Sequence, residues 1–445
     1  MKEDWIECEL DDLCCIYPGI GFPKNKQGKR KGLYPFYKVG DISKNFLAGN
    51  QLLRLCDNYI DEGDIKNIKN KILPPKSIVF AKIGEALKLN RRGITMDFCL
   101  VDNNAIGLKA ERALNDLFLY FFFLTIRLEK YSRATTVPSV RKSDIETIRI
   151  PLAPLPEQRA IVAKIEELFS SLDSGIADLK KAQDQLVIYR RAVLGSSFNP
   201  LKEYIPLKDC GIWKGGGTPS KQVKEYWDNG LVPWVSSRDV KTKDIFDTER
   251  HITELAIPNS STKWIDKEAI LFVVRSGILR RIFPIAIAKS DLCVNQDIQT
   301  LTLNDNFYSE YVYWFLVGKE SNIRHTCSKD GTTVESIDSN KLKSYKIPYC
   351  NLIEQHQIVQ EIESRLSVCD KVEESIVESL EKAKALRQSI LKKAFEGKLL
   401  SEQEVAACKK EADYEPASVL LKRIKAEASR QTQGKKTTPA KKVLV

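Results

Sequence analysis

The sequence predicts an α+β protein: two similar globular units of mixed helix and strand, separated by two long helices packed as an antiparallel coiled coil, with a pseudo-twofold internal repeat. Three observations carry this expectation. The chain has 445 residues, too many for one ordinary domain. It repeats itself, and a heptad pattern of apolar residues closes each copy.

The repeat is read directly. The stretch from Thr135-Thr136-Val137 aligns with Thr332-Thr333-Val334 at an offset of 197 residues, without a gap as far as Phe198 and Phe395. Within it Ile150-Pro151 falls on Ile347-Pro348, Glu157-Gln158 on Glu354-Gln355, and Asp173, Arg190 and Leu194 on Asp370, Arg387 and Leu391. Upstream the likeness is weaker and the offset shifts. There Leu33 to Ile42 resembles Leu231 to Val240, and Ile78-Val79-Phe80 with Lys82 and Gly84 resembles Ile270-Leu271-Phe272 with Arg275 and Gly277. The expected boundaries are 1–150 for the first globular unit, 151–199 for the first helical region, 200–346 and 347–400 for their copies, and 401–445 for a C-terminal extension.

After Pro156, suited to a first helical turn, Ile165, Leu172, Leu179, Leu186 and Val193 recur every seven positions. Ile362, Cys369, Ile376, Ala383 and Ile390 hold the corresponding places in the second copy. Either seam alone leaves an apolar stripe in water, so the two helices are natural partners. Parallel packing would put both globular units at one end, and an antiparallel intramolecular pair is expected. The 44 residues from Leu155 to Phe198 span at most about 65 Å at about 1.5 Å per residue. A coiled coil serving only oligomerisation or assembly explains the heptads equally well. It does not explain why each rod follows a related globular unit.

Charge narrows the partner. Lysine and arginine total 70 against 59 acidic residues, a net +11 with a pI near 8.9, which favours a polyanion without demanding one. No run of eighteen apolar residues and no apolar leader after Met1 is present, so no membrane contact and a cytoplasmic location are expected. The 11 cysteines are scattered without a CxxC pair, pointing to reduced core thiols and to no metal site. Phosphate-loop, HExxH, GxSxG and methyltransferase NPP[YF]-type patterns are missing, and the histidines are His251, His325 and His356. No catalytic residue is therefore assigned.

Candidates for contact with double-stranded DNA follow the apolar strands. In the first unit they are Lys82, Lys88, Arg91 and Arg92, after Ser77-Ile78-Val79-Phe80-Ala81. In the second, Arg275, Arg280 and Arg281 follow Ala269 to Val274. Thr218 and Ser220 lie in the loop Gly215-Gly216-Gly217-Thr218-Pro219-Ser220, with Trp234, Ser236, Ser237 and Arg238 beyond it. Glycines permit close backbone approach, and hydroxyls and guanidinium groups suit phosphates and base edges. The bland reading of these cations is a solvated basic loop at a strand end.

The segment Ile150-Pro151-Leu152-Ala153-Pro154-Leu155-Pro156-Glu157-Gln158 with its copy, and Gly216-Gly217-Thr218-Pro219-Ser220 leading to Pro233-Trp234, resemble the specificity subunits of type I restriction-modification systems over nearly the whole chain. The resemblance implies two target-recognition domains, each reading half of a split, asymmetric DNA site, with the helical regions setting the gap. It implies two methyltransferase subunits and further restriction subunits as partners, and it places S-adenosylmethionine, ATP and magnesium in those partners, with no cofactor in this chain. The second helix start departs from the pattern, with Ile353 for Pro156 and His356 for Arg159. Glu415 to Lys425 reads as a short amphipathic helix like the family's C-terminal extension. The basic end, Arg430, Lys435, Lys436, Lys441 and Lys442, reads as partly disordered.

Overall fold

Residues 78–81 and 270–273 carry no polar side chain and no turn residue. In the computed structural model both are strands buried along their whole length. The structure describes residues 2–49, 51–64, 71–111, 113–132, 137–329 and 334–436, with side chains as far as 426. Around Ile78–Ala81 the strands run in the order Cys14–Pro18, Ala105–Ala110, Ile78–Ala81, Arg92–Thr95, Leu52–Leu53, antiparallel except for the last pair. Around Ile270–Val273 the order is Gly211–Gly215, Ile298–Leu303, Ile270–Val273, Ile285–Ala288, Asp244–Ile245, with the same directions. Register repeats as well: Ile78 faces Ile94 and Leu108, and Ile270 faces Ile287 and Leu301.

A smaller sheet accompanies each. Tyr34–Tyr37 pairs antiparallel with Tyr59–Ile60 and parallel with Leu100–Val101. Val232–Val235 pairs likewise with His251–Ile252 and Leu292–Val294, and Trp264–Ile265 adds a fourth strand. Each unit also contains a helix that is apolar almost all round and therefore internal: Asp116–Thr125 in one and Ser309–Gly318 in the other. Asn115 caps the former, its side chain accepting from the Leu117 and Phe118 amides.

By compactness the chain divides into Met1–Ala177 with Leu380–Val445, and Asp178–Ser379. Each unit thus owns one globular part and a length of both rods, which are Leu155–Ser196 and Leu352–Phe395. Their direction is fixed by ion pairs within each unit. Asp173 pairs with Arg387 in the first, and Arg190 pairs with Asp370 at 2.7 Å and Glu373 at 2.8 Å in the second. Partner numbers fall on one helix as they rise on the other, so the rods are antiparallel. Asp173 and Asp370 are repeat equivalents, as are Arg190 and Arg387, and each aspartate finds the arginine of the opposite copy. Of the ten seam positions, Ile165, Val193, Ile362, Cys369, Ile376 and Ile390 are buried, and Leu172, Leu179, Leu186 and Ala383 are half-buried.

At the root of each rod lies a buried glutamine. Gln158 Nε2 donates to the carbonyls of Ala113 (3.0 Å) and Ala153 (2.8 Å), and its Oε1 accepts from the Asn115 amide (2.8 Å). Gln355 does the same with the Asn306 and Cys350 carbonyls and the Tyr308 amide, all at 2.8 Å. Each glutamine ties the first turn of its rod to the loop that leads into the internal helix.

The C-terminal segment adds structure to the first unit. Ala417, Leu420 and Leu421 join the core containing Trp5 and Leu10, the Tyr414 hydroxyl donates to Asp4 at 2.8 Å, and Arg159 pairs with Asp413 at 2.8 Å. Arg430, Lys435 and Lys436 lie on the helix Ala417–Lys436; Lys441 and Lys442 fall outside the described residues.

Replacing Gln158 by Leu strands two carbonyls and one amide in a dry site, each orphaned group costing about 1–3 kcal/mol. Urea unfolding of Gln158→Leu is expected to show a loss of at least that size, and Gln355→Leu the same. A change within error would mean that water replaces the side chain.

Candidate nucleic-acid interface

The candidate residues separate into three groups. Arg275, Arg280, Arg281, Arg238, Ser220 and Lys88 are exposed; Lys82, Arg91, Thr218, Ser236 and Ser237 are half-buried; Arg92 and Trp234 are interior, at 1% and 4% exposure. Arg92 and Trp234 are thereby removed from any direct DNA contact. Arg92 alternates inward along its strand, where its guanidinium lies 4.6 Å from the Phe123 ring centroid. Trp234 stacks edge-on to Trp227 at 5.2 Å, and its Nε1 donates to the Gly217 carbonyl at 3.0 Å. That bond holds the glycine loop down. A Cβ on Gly216 would stand 2.1 Å from the Val294 carbonyl oxygen, and one on Gly217 equally close to Ser261 Oγ, so these glycines serve close packing of the loop on the sheet. The Thr218 hydroxyl donates to Gln296.

Most of the exposed cations already hold a carboxylate. Arg275 Nε donates to Asp297 at 2.6 Å, Arg280 Nε to Glu335 at 2.7 Å, and Lys88 sits 3.1 Å from Glu85. The lysine-rich loop is held likewise: Lys26 lies 2.8 Å from Asp64 and Lys29 2.5 Å from Asp61. Exposed pairs of this kind are worth about 0–1 kcal/mol. They orient the cations without preventing a phosphate from taking the place of the carboxylate.

The expected match of Lys82 to Arg275 is off by one residue. The Lys82 carbonyl accepts from Val140 N and the Val274 carbonyl from Ile337 N, at 2.9 and 2.8 Å; Gly84 N donates to Pro138 and Ser276 N to Glu335, at 2.8 and 3.1 Å. Lys82 is therefore the equivalent of buried Val274, and Ile83 of Arg275. Because successive residues of an extended chain face opposite sides, the slip moves the cation to the other side of the strand end.

Sequence reasoning missed a cleft on the first unit, about 710 Å³, where Tyr34, Tyr59 and Phe98 stand with Arg54 and Asp97. Its tyrosines come from the small sheet, and only the aromatic-rich run Tyr34-Pro35-Phe36-Tyr37 signals it. Among the described residues no group of three or more His, Cys, Asp or Glu side chains is placed to hold a metal ion, and no helix is long and apolar enough to cross a membrane.

A family model, the type I restriction modification DNA specificity domain, matches residues 2–181 and again residues 201–382. The Escherichia coli EcoR124I/EcoR124II specificity subunit is 35% identical over 246 residues, 54% of this chain and 60% of that protein. The Methanocaldococcus jannaschii MjaIX specificity subunit is 34% identical over 155 residues, 34% of this chain and 35% of the relative. These alignments span three fifths and about one third of the two relatives, whereas that to the Escherichia coli EcoBI specificity subunit, 21% identical, covers 99% of this chain and 96% of the relative. Among solved structures, the HsdS subunit from Thermoanaerobacter tengcongensis matches with a TM-score of 0.62 at 19% identity, covering 90% of this chain and 98% of its own. A chain from work on complex assembly and conformational transition of the type I R-M system matches with a TM-score of 0.70 at 18% identity, covering 90% and 99%. These two establish the shared fold. With both halves matched, the chain belongs to the type I restriction-modification specificity subunit family.

Trp234→Ala removes a core indole and releases the glycine loop, so a loss of about 3–5 kcal/mol is expected. Thermal unfolding of this variant checks it; a stable protein with selectively weakened DNA binding would return Trp234 to the interface.

Proposed function

We propose that this chain reads a bipartite, asymmetric site on double-stranded DNA, one half through residues 1–150 and the other through residues 200–346. The helical regions 151–199 and 347–400 hold the two readers at a set distance. Two methyltransferase subunits and the restriction subunits assemble on it, bringing S-adenosylmethionine, ATP and magnesium with them, in the cytoplasm. The observation that supports this reading best is the repeated Asp–Arg pairing of the rods: the same sheet frame occurs twice, each joined through a buried glutamine to one of two antiparallel helices.

Methylome sequencing of cells expressing this chain with its methyltransferase partner is expected to return one split adenine-methylation motif; no motif at all would leave a coiled-coil scaffold as the function. If six to ten phosphates are neutralised, affinity for duplex DNA falls about 10³–10⁵-fold between 50 and 200 mM salt, and a flat salt response excludes DNA as the partner. Arg275→Ala is expected to relax one half-site by about 1–3 kcal/mol while leaving the other unchanged. Equal weakening on all sequences would assign Arg275 to phosphate.

The rods supply a further test. One heptad added to each helix, between Asp173 and Arg190 and between Asp370 and Arg387, keeps both ion pairs and lengthens the rod by about 10 Å. The unread gap should grow by about three base pairs, at about 3.4 Å each, with both half-sequences intact. Altered half-sequences would show that the helices are not the ruler.

A further inference from the structure

Arg92 is the anomaly of the first unit. Its Nη2 donates to Asn90 Oδ1 at 2.6 Å and to the Ile126 carbonyl, one face of the guanidinium packs on Phe123, and Nε and Nη1 are buried without an acceptor. No carboxylate among the described residues pairs with it. Burial draws its pKa down to about 9, so the group is still a cation at neutral pH. A buried, incompletely bonded charge is costly, and the fold does not require one there. Arg92 lies opposite Phe80 in the sheet, and the equivalent partner of Phe272 is Ile285, an apolar residue at 7% exposure. The second copy fills the same place with a hydrocarbon.

Beside Arg92 lies a cavity of about 430 Å³ between the sheet, the internal helix and both rods of the same unit. Arg92, Asn90, Gln51 and Tyr120 line it from the globular side, and Asp173 and Arg387 from the rods. Arg387 lies over the Phe169 ring at 4.5 Å, pairs with Asp173, and keeps about a third of its side chain accessible. Two guanidinium groups and one carboxylate thus give the cavity a net positive charge, with amide donors alongside.

We propose that this cavity binds a small oxyanion, a phosphate or carboxylate group, which pairs with Arg387 on the rod and draws the Arg92 guanidinium, whose unpaired N–H groups are closed to solvent, toward the cavity. A bound anion then bridges the first reader and the helices, bracing a joint that the second copy closes with Ile285. The site does not rest on the DNA-reading function: neither the cavity nor its two arginines is needed for a reader of base sequence.

The test is a titration of the purified full-length chain at constant ionic strength, with chloride as the reference anion and inorganic phosphate, acetate and adenosine monophosphate as probes, read by thermal unfolding and by calorimetry. One of the three should raise Tm above the chloride control and bind with one site per chain. A response to phosphate identifies a free oxyanion, a tighter one to the monophosphate a nucleotide, and one confined to acetate a carboxylate ligand. Arg92→Ile is expected to fold, since its repeat equivalent is isoleucine, and to weaken binding at least tenfold; Arg387→Gln, which spares the sheet, should weaken it by a smaller factor. If no probe exceeds chloride, or if both variants respond as the parent chain does, the proposal is wrong.

Discussion

A carboxamide that can neither ionise nor find water holds the architecture together at two places. Gln158 and Gln355 each satisfy two carbonyls and one amide between a rod's first turn and the loop entering an internal helix. A long helix has no intrinsic reason to leave a sheet at one angle rather than another. Three hydrogen bonds from one planar group, made where no solvent competes, impose a single answer. The rods, their ion pairs and the placement of the exposed arginines all inherit that angle.

The two roots are not equally finished. Glu157 is buried and accepts from Trp5 Nε1 and Lys2 Nζ, each at 2.9 Å, while the C-terminal segment meets Arg159 through Asp413. Glu354 is exposed and only caps its own helix through Asn351, and Ile353 beside it is 72% exposed. The departures Ile353 and His356 thus fall on the uncovered root, where no Trp5 and no tail demand the original residues. His356 instead packs on Tyr308, with ring centroids 4.0 Å apart.

Fold and rods were legible because periodicity and repetition are properties of sequence order itself. Seven-residue spacing announced the seam, and an offset of 197 residues announced the duplicated frame. The site was less legible, since a cation near a strand end reads the same whichever way its side chain points. Arg92 and Arg91 are neighbours, yet one is sealed under Phe123 and the other lies 6.0 Å from the exposed Phe46 ring. Trp234 stood among the candidates for DNA contact and is a latch on the glycine loop. Gln158 and Gln355 were visible as a repeated pair, but nothing in their spacing says that the carboxamide is dry.

The division of the chain has a consequence for synthesis. The second unit is one continuous stretch, Asp178–Ser379, whereas the first needs residues from Leu380 onward to complete its core, including Ile390, Leu391 and Ala394. On the ribosome, where segments fold as they emerge, the part begun first is finished last. The N-terminal sheet waits with an open apolar flank until the final helix arrives, and the later-made half is complete before it.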